Sequence, residues 1–269
     1  MTFSPQDLQE FSSFALRLAD AARAETLPRF RKGTTIFNKA GPWFDPVTDA
    51  DREAERALRR MIEKIYPRHG VLGEEFGETP GDEAWRWVLD PVDGTRAFMC
   101  GTPSWATLIA LEHDASPVIG VIDQPFTDER WVGAGGKTLY THRGETSFAK
   151  TSGLTDIAKA RLSTTDPLAS GYFSDAEAAA FARVAKAARV ARFSLDAYAY
   201  ALLASGELDL VIESSLQRHD YAALIPVVEG AGGVVTNWQG QPPGSDDTGE
   251  LIAAATPELH AAALELLKA

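Results

Sequence analysis

Two aspartates, Asp90 and Asp93, follow the apolar run 87–89 and stand directly before Gly94 and Thr95. Carboxylates at the end of a buried strand have two interpretations. In the first, the side chains accept hydrogen bonds from local backbone amides in a strand-exit turn. In the second, they bind a hard divalent cation such as Mg²⁺, for which aspartate oxygens are preferred ligands. Gly94 and Thr95 would then begin a helix whose free backbone amides bind a phosphate.

Three other segments supply acidic side chains that such a metal site would need. LGEEFG supplies Glu74 and Glu75, DPVTDAD supplies Asp51, and RHDYAAL supplies Asp220. Each also has an ordinary interpretation: a solvated turn for the glutamates, and a favourable contact with a helix dipole for the aspartates. Thr48 and Asp51 have the spacing of a capping box as well. Together the segments favour the metal site, because each stands where a strand ends or a helix begins.

Hydrophobic periodicity and turn residues predict where these segments lie in the fold. Helices are predicted to begin at Ser4, near Thr48, at Ser174, at Asp220 and at Thr256, and one more passes through Tyr198. Four strand-like runs between residues 106 and 141 form a meander, and further strands are expected near residues 162, 190, 208–212 and 234. The pattern predicts an α/β protein with two halves. Residues 1–150 form an α+β half with the metal motifs, and residues 151–269 form an α/β half with the substrate-side residues and Asp220.

Composition argues against several classes of function. The chain has 269 residues and a formal net charge of −12, from 38 acidic and 26 basic side chains. This charge argues against nucleic-acid binding, and no apolar run reaches the ~18 residues of a membrane span. The single cysteine, Cys100, excludes an internal disulfide. Because the N-terminus also carries no secretory signal, the cytoplasm is the expected location. An anionic substrate would need bound cations in a protein of this charge.

The order of the acidic motifs resembles the inositol monophosphatase family of Mg²⁺-dependent, Li⁺-sensitive phosphomonoesterases. The resemblance rests on TDAD at 48–51, GEE at 73–75, DPVDGT at 90–95 and HDYAALIPVVEGAGG at 219–233, and it extends over about residues 5–267. It implies a layered α-β-α-β-α fold, a small phosphorylated metabolite as substrate and a homodimer. GVIDQPF at 120–126 and LSTTDP at 162–167 are similar to the histidinol-phosphate phosphatase branch, which acts in histidine biosynthesis.

The resemblance also implies metal ligands. Glu74, Asp90 and the backbone carbonyl of Val92 would bind a first Mg²⁺. Asp90, Asp93 and Asp220 would bind a second, so that Asp90 bridges the two ions. A third, weaker ion would lie near Glu74, bound mostly by water.

Further implied roles concern the attacking water and the substrate. The catalytic group would be Glu74, Asp51 and Thr95, of which Asp51 and Thr95 support the water. Gly94 and Thr95 would offer backbone amides to the phosphate, and Glu213 in LVIESS would contact the leaving group.

The substrate is less well determined than the chemistry. Histidinol phosphate is cationic at the end remote from its phosphate, so a selective pocket needs carboxylates that bind no metal. Asp196 and Glu213 are the candidates. Each has an ordinary alternative, because Asp196 could cap the helix through Tyr198 and Glu213 could be a solvated acid at a strand end. The chain departs from the branch around Asp196 and at His219, where many relatives have an aromatic residue.

The chemistry itself agrees with the motifs. Phosphate-monoester hydrolysis is among the slowest uncatalysed reactions. Two divalent ions about 3.5–4 Å apart can activate the water and stabilise the leaving oxygen. The haloacid-dehalogenase-like phosphatases are a less suitable alternative, because their D-x-D-G-T motif spaces the carboxylates by two residues and this chain spaces them by three, with Pro91 between.

Two other functions remain open. One is an inositol-1-monophosphatase-type enzyme that acts on polyol, sugar or nucleotide 3′-phosphates. The other is a non-catalytic protein that binds a divalent cation.

Overall fold

The computed structural model describes residues 4–33, 36–38, 46–168, 172–244 and 249–268, which form an α/β fold with two mixed sheets flanked by helices. The helices are α1 (Pro5–Thr26), α2 (Asp49–Ile65), α3 (Thr95–Cys100), α4 (Asp175–Ala187), α5 (Tyr198–Ala204), α6 (Arg218–Tyr221), α7 (Leu224–Gly230) and α8 (Pro257–Lys268). Capping boxes at Ser4, Thr48 and Ser174 begin α1, α2 and α4. These caps satisfy amides of the first turn, and the spacing of Thr48 and Asp51 predicts one of them.

The larger sheet has eight strands in the order β10-β9-β8-β7-β6-β5-β3-β4. Its strands are β3 (Gly70–Gly73), β4 (Gly77–Thr79), β5 (Trp85–Asp93), β6 (Ala106–His113), β7 (Ser116–Gln124), β8 (Glu129–Ala134), β9 (Lys137–His142) and β10 (Glu145–Phe148). Only the β3–β5 pair is parallel among these neighbours. A separate antiparallel pair joins β1 (Ile36–Asn38) to β2 (Pro46–Thr48), directly before α2.

The second sheet has five strands in the order β12-β11-β13-β15-β14. They are β11 (Arg161–Thr164), β12 (Val190–Phe193), β13 (Leu210–Glu213), β14 (Val234–Thr236) and β15 (Leu251–Ala254). The central strand β13 is parallel to β11 and antiparallel to β15. Glu213 is the last residue of this central strand.

Side chains alternate between the two faces of each sheet, and this alternation builds five layers. Trp87 and Leu89 of β5 pack with α1 and α2, whereas Val88 between them packs with α5 and α7. The cluster around α5 and α7 also contains Val211 of β13 from the smaller sheet. The opposite face of that sheet, with Ile212, packs on α4 and α8. The order of layers is therefore α-β-α-β-α, as the resemblance implied.

Two glycines allow residues 222–226, which include the start of α7, to touch the larger sheet. A Cβ at Gly120 would lie 2.0 Å from the carbonyl oxygen of Ala223, and one at Gly133 would lie 2.2 Å from that of Pro226. A side chain at either position would push this segment away from the sheet. Because the segment follows Asp220 directly, these contacts help to fix that residue.

The structure corrects the predicted helix from Asp220 and adds strands that the pattern missed. The helix begins two residues earlier, at Arg218, and ends at Tyr221 before a second helix starts at Leu224. Pro226 has no amide hydrogen to donate to the Ala222 carbonyl, which explains the break. The short strands β3, β4, β10 and β15 were not predicted. Among the described residues, no helix is long and apolar enough to cross a membrane. The division at residue 150 stays a prediction.

Candidate active site

Asp90 and Asp93 lie on one side of β5 because the strand is bulged between them. In a regular strand, residues three apart point to opposite faces. Here Pro91 and Val92 lie together opposite Thr107 of β6, which shifts the register by one residue. The Thr107 hydroxyl donates to the Pro91 carbonyl at 2.7 Å, and the Val92 amide donates to Asp90 at 3.1 Å. Asp90 therefore makes the local backbone bond of a strand-exit turn and also belongs to an acidic cluster.

Asp220 joins these two aspartates from the C-terminal half. Carboxylate oxygens of Asp90, Asp93 and Asp220 all lie within 4.8 Å of one another. Asp220 is the third residue of α6, and its Oδ2 accepts the Gln217 amide at 2.6 Å in a capping box. His219 places a ring nitrogen 3.4 Å from the other oxygen of Asp220. The three residues predicted to bind the second metal are therefore together.

A second acidic cluster contains Asp51, Glu74 and Glu75, whose carboxylate oxygens also lie within 4.8 Å of one another. Glu74 follows β3, and its amide donates to the carbonyl of Leu89 at 3.2 Å. This bond places it beside the end of β5, where its carboxylate interacts with that of Asp90. Glu74 thus connects the two clusters, and its role as a ligand of the first Mg²⁺ stays a prediction.

Glu55 holds the turn that carries Glu74 and Glu75, and sequence analysis missed it. Its fully buried carboxylate accepts the amides of Glu75 at 2.8 Å and Phe76 at 3.3 Å, and Arg59 lies 2.7 Å away. A Cβ at Gly73 would lie only 2.0 Å from a Glu55 oxygen. Little in the sequence indicates this role, because Glu55 is one of several charged residues on the predicted helix.

Asp51 and Thr95 lie next to each other, as their predicted role requires. The Thr95 hydroxyl is 3.4 Å from Asp51 Oδ1 and 3.2 Å from the Val92 carbonyl oxygen. The other oxygen of Asp51 accepts the amide of Thr48 at 3.0 Å and also its hydroxyl. Asp51 therefore completes the capping box of α2 and is also a member of the acidic cluster. Gly94 precedes α3 with φ +79°, a conformation that favours glycine.

Burial and mutual repulsion raise the pKa of several of these carboxyls. Burial, and then repulsion from Glu74, Asp93 and Asp220, raise the pKa of Asp90 well above its ordinary value. Burial and the carboxylates of Asp196 and Asp220 do the same to the pKa of Asp93, against the opposing bond from the Ala197 amide. A bound cation would relieve this repulsion.

The pKa of Asp51 rises to about 7, mainly because the side chain is buried and then because Glu74 and Glu75 repel its charge. The hydrogen bond from the Thr48 hydroxyl acts in the opposite direction. A carboxyl that titrates near neutrality can exchange a proton with water at the pH at which the protein works.

Asp196 lies against Gly94 and does not cap a helix. A Cβ at Gly94 would lie 2.9 Å from its carboxyl carbon, and the Ser104 hydroxyl donates to it at 3.1 Å. The expected alternative, a cap of α5, is wrong, because that helix starts after Ala197 without a side-chain cap. The Ala197 amide donates instead to Asp93 at 2.7 Å. Burial raises the pKa of Asp196 to about 6.

Glu213 is buried, so its alternative as a solvated acid is also wrong. Its exposed fraction is 3%, and one oxygen accepts the amide of Thr165 at 2.8 Å and its hydroxyl at 2.9 Å. The other oxygen accepts the Thr164 hydroxyl at 3.1 Å. Burial raises the pKa of Glu213 to about 8, and the charge of Asp196 adds to the rise. Both threonines belong to LSTTDP, so this segment positions Glu213.

Two tyrosines near these carboxyls were not predicted. The Tyr200 hydroxyl is buried without a hydrogen-bond partner in the described part of the chain, and it lies within the electrostatic influence of Glu213, Asp93 and Asp220. The Tyr172 ring lies beneath the guanidinium of Arg96, 5.0 Å from ring centre to carbon. Tyr172 belongs to no recognisable motif, and Tyr200 has the position of an ordinary residue of an apolar helix, so neither had a sequence signal.

The donors present suit a hard divalent cation. The two clusters supply carboxylate oxygens without histidine nitrogen or thiolate, the combination preferred by Mg²⁺. Asp90, Asp93 and Asp220 would hold one ion, and Glu74 with Asp90 and the Val92 carbonyl would hold another.

Comparisons with known proteins agree with this geometry. The chain is 38% identical over 274 residues to the bifunctional phosphatase IMPL2, chloroplastic, of Arabidopsis thaliana, a match that covers 98% of this chain and 77% of the relative. It is 35% identical over 234 residues to the histidinol-phosphatase of Streptomyces coelicolor, with 84% and 85% coverage.

A solved inositol monophosphatase from Zymomonas mobilis has a TM-score of 0.85 to this structure, at 39% identity, over 97% of this chain and 98% of its own. The model of the inositol monophosphatase family matches residues 7–269. This match makes the haloacid-dehalogenase-like assignment wrong, and the phosphatases among the relatives favour an enzyme over the non-catalytic alternative. The chain belongs to the inositol monophosphatase family and is a divalent-metal-dependent phosphomonoesterase that acts on a small phosphorylated molecule.

Proposed function

We propose that the protein hydrolyses L-histidinol phosphate to L-histidinol and phosphate, with Mg²⁺ and an activated water. The observation that supports this substrate most directly is the pair Asp196 and Glu213. Glu213 is buried and Asp196 is partly buried beside the acidic clusters, and neither belongs to the two groups of metal-ligand candidates. Buried carboxylates need a cationic partner or a proton. The ammonium and imidazole of histidinol phosphate would supply that partner.

The metal ions, when bound, would neutralise the phosphate and lower the pKa of a bound water. Glu74, Asp90 and the Val92 carbonyl would hold one Mg²⁺, and Asp90, Asp93 and Asp220 would hold a second. These assignments, and a third weaker ion, are part of the proposal.

The water is oriented by Thr95 and Asp51 in this proposal. The Thr95 hydroxyl lies 3.2 Å from the Val92 carbonyl and 3.4 Å from Asp51 Oδ1, and in this proposal it donates its one hydrogen to Asp51. The Thr95 oxygen can then accept a hydrogen bond from the water. As the water attacks phosphorus, its proton passes through Thr95 Oγ1 to the Asp51 carboxylate. The bond from phosphorus to the alcohol oxygen breaks, and this leaving oxygen takes a proton from solvent. The pKa of Asp51, about 7, suits this acceptor role near neutral pH.

The phosphate would lie at the start of α3. The first amides of any helix lack intrahelical partners, and Gly94 is the single residue between the end of β5 and the start of α3. The leaving alcohol would then point toward Asp196, whose carboxyl packs on Gly94. Glu213 lies close enough to Asp196 for their charges to interact, so the two can contact one substrate.

A second candidate is a polyol phosphate such as inositol-1-phosphate. The Zymomonas mobilis structure, named as an inositol monophosphatase, supports it through its coverage and identity. Glu213 also supports it, because a carboxyl whose pKa is about 8 is mostly protonated at neutral pH and can donate to a hydroxyl.

A substrate panel separates the two candidates. Phosphate release would be measured with Mg²⁺ on histidinol phosphate, inositol-1-phosphate, 3′-phosphoadenosine 5′-phosphate and an aryl phosphate whose leaving group carries no positive charge. The proposal expects the highest kcat/KM on histidinol phosphate. A higher value on inositol-1-phosphate or on the nucleotide would overturn it, and no Mg²⁺-dependent release from any of the four would overturn the metal assignments as well.

Two other expectations stay predictions. The homodimer can be measured by light scattering. The name of the plant relative places that protein in the chloroplast, so the cytoplasmic location needs its own experiment.

A further inference from the structure

Arg218 anchors the one-turn helix that carries Asp220. Its guanidinium is buried and donates through Nε to Glu112 Oε1 at 2.6 Å. A second nitrogen donates to the carbonyl of Ala115 at 2.6 Å, and the third lies 3.4 Å from the Tyr221 hydroxyl. All three nitrogens of the guanidinium are therefore fixed, by β6, by the turn after it and by α6 itself.

The partner carboxylate, Glu112, connects α6 to the strand that carries the other two aspartates. Glu112 is fully buried, and its second oxygen accepts two bonds from Arg86 of β5, at 2.9 and 2.7 Å. Arg86 lies directly opposite Glu112 in the sheet. Arg86 also contacts Glu78 of β4 at 3.1 Å, and β4 pairs with the strand that precedes Glu74. The Glu112 carboxylate thus links α6 to β5, and Arg86 extends this network to β4.

The bonds of Arg218 oppose the repulsion between Asp220 and the other two aspartates. Asp220 must be held within 4.8 Å of Asp90 and Asp93, which carry the same charge when ionised. A four-residue helix has little stability of its own. Without an anchor, α6 could relieve the repulsion by moving outward, and the ligand set would be lost.

We propose that Arg218, held by Glu112, is a positioning residue for Asp220 that sets the affinity of the second metal site. The inference rests on the proposed function, because it takes Asp220 to be a ligand of Mg²⁺. Residues that orient metal ligands typically change metal affinity by about 10–100-fold when they are replaced. We therefore expect Arg218→Met to weaken Mg²⁺ binding by at least about tenfold.

A matched control exists elsewhere in the chain. Asp123 is fully buried and, like Glu112, accepts bonds from two arginines. Arg130 donates to it through Nε at 2.6 Å, and Arg23 donates at 2.8 Å. The side chain of Arg130 is 13% exposed and that of Arg218 is 7% exposed, so Arg130→Met removes a comparable ion pair from a network that does not include α6.

The experiment measures Mg²⁺ binding by calorimetry and phosphate release as a function of Mg²⁺, for wild type, Arg218→Met, Arg218→Lys and Arg130→Met. We expect the two Arg218 variants to need more Mg²⁺ for binding and for half-maximal activity, and high Mg²⁺ to restore much of kcat. Arg130→Met is expected to lose thermal stability in EDTA while its Mg²⁺ affinity stays at the wild-type value. Arg218→Lys keeps the positive charge but lacks the planar guanidinium and its set of N–H donors. It therefore tests the positioning role even if Arg218→Met does not fold.

Three results have different meanings. If wild type itself binds no Mg²⁺, the proposed function fails. If wild type binds Mg²⁺ and the folded Arg218 variants bind it equally well, only the positioning role is overturned. Equal weakening in Arg130→Met would also overturn it, because the effect would then follow from general loss of stability.

Discussion

Asp93→Asn should separate metal binding from folding, and the structure gives the expected sign of each effect. The asparagine oxygen can still accept the Ala197 amide, which donates to Asp93 at 2.7 Å. The variant removes the repulsion of Asp93 by Asp196, Asp220 and Glu74. We therefore expect the metal-free variant to fold and to be at least as stable as metal-free wild type.

The size of the stability change follows from the distances. At 4.8 Å, the limit for the oxygens of Asp90, Asp93 and Asp220, two full charges repel by about 3 kcal/mol at an effective dielectric constant of ~20. Partial protonation of the raised-pKa groups reduces this, so a gain of the order of 1 kcal/mol in the free energy of unfolding is expected in EDTA. For a domain of this size, such a gain raises Tm by about 2–4 °C.

Mg²⁺ should stabilise wild type more than Asp93→Asn, which reverses the order of stability expected in EDTA. A ligand that binds only the folded state adds about 2.7 kcal/mol at a concentration of about one hundred times its Kd. Wild type should show this gain, whereas the variant should lose the part that comes from the second site. Turnover at saturating Mg²⁺ should fall below about a tenth of the wild-type value, because a neutral amide is a poor Mg²⁺ ligand.

Thermal unfolding in EDTA and in millimolar Mg²⁺, together with phosphate release, tests all three expectations. Asp123→Asn is the control, since its carboxylate is stabilised by Arg23 and Arg130 and its loss should lower stability without changing the Mg²⁺ effect. The two-metal reasoning is refuted if Asp93→Asn retains more than about a tenth of wild-type turnover at saturating Mg²⁺.

Three more predictions concern pH, substrate and backbone. The pKa of Asp51 is about 7 in the folded protein and about 3.8 as a free side chain. In EDTA the folded state therefore holds more protons than the unfolded state, and the free energy of unfolding should fall as pH rises from about 4 to 7. Thermal unfolding of Asp51→Asn should show a smaller dependence on pH. Glu213→Gln should raise KM for histidinol phosphate about tenfold, because a charge-assisted hydrogen bond contributes about 1.5–3 kcal/mol. Turnover of an aryl phosphate should stay almost unchanged. Equal losses on both substrates would show that Glu213 supports the fold or the metal site and does not select the substrate. Gly94→Ala should reduce activity on every substrate, because φ is +79° and the new Cβ would lie 2.9 Å from the Asp196 carboxyl; kcat equal to wild type would contradict the tight contact.

The positions of the acids at strand ends and helix starts were predictable, because local rules fix which end of an element each acid occupies. Thr48 and Asp51 form the capping box that their spacing indicated, and Gly94 ends a strand and begins a helix as expected. These features depend on neighbours within a few residues. The five-layer order was implied by a resemblance and not by periodicity, since a pattern of strands does not state which sheet each strand joins.

The supports of the site could not be predicted, because they depend on pairs distant in sequence. Glu55 binds amides 20 and 21 residues away, and Arg218 binds Glu112 across 106 residues. Each of these residues reads as an ordinary surface charge when it is taken alone. The same holds for Glu213, whose burial follows from bonds to Thr164 and Thr165, 49 and 48 residues earlier.

The three-residue spacing of Asp90 and Asp93 has a meaning that becomes clear only in three dimensions. On a regular strand this spacing would separate the two carboxylates onto opposite faces of the sheet. The bulge opposite Thr107 reverses the alternation after Asp90 and brings Asp93 back to the same side. Pro91 suits that position because it has no amide to donate to the ladder, and its carbonyl is satisfied by the Thr107 hydroxyl. The motif therefore encodes the bulge as well as the ligands, and a chain that spaced its aspartates by two residues could place them together without one.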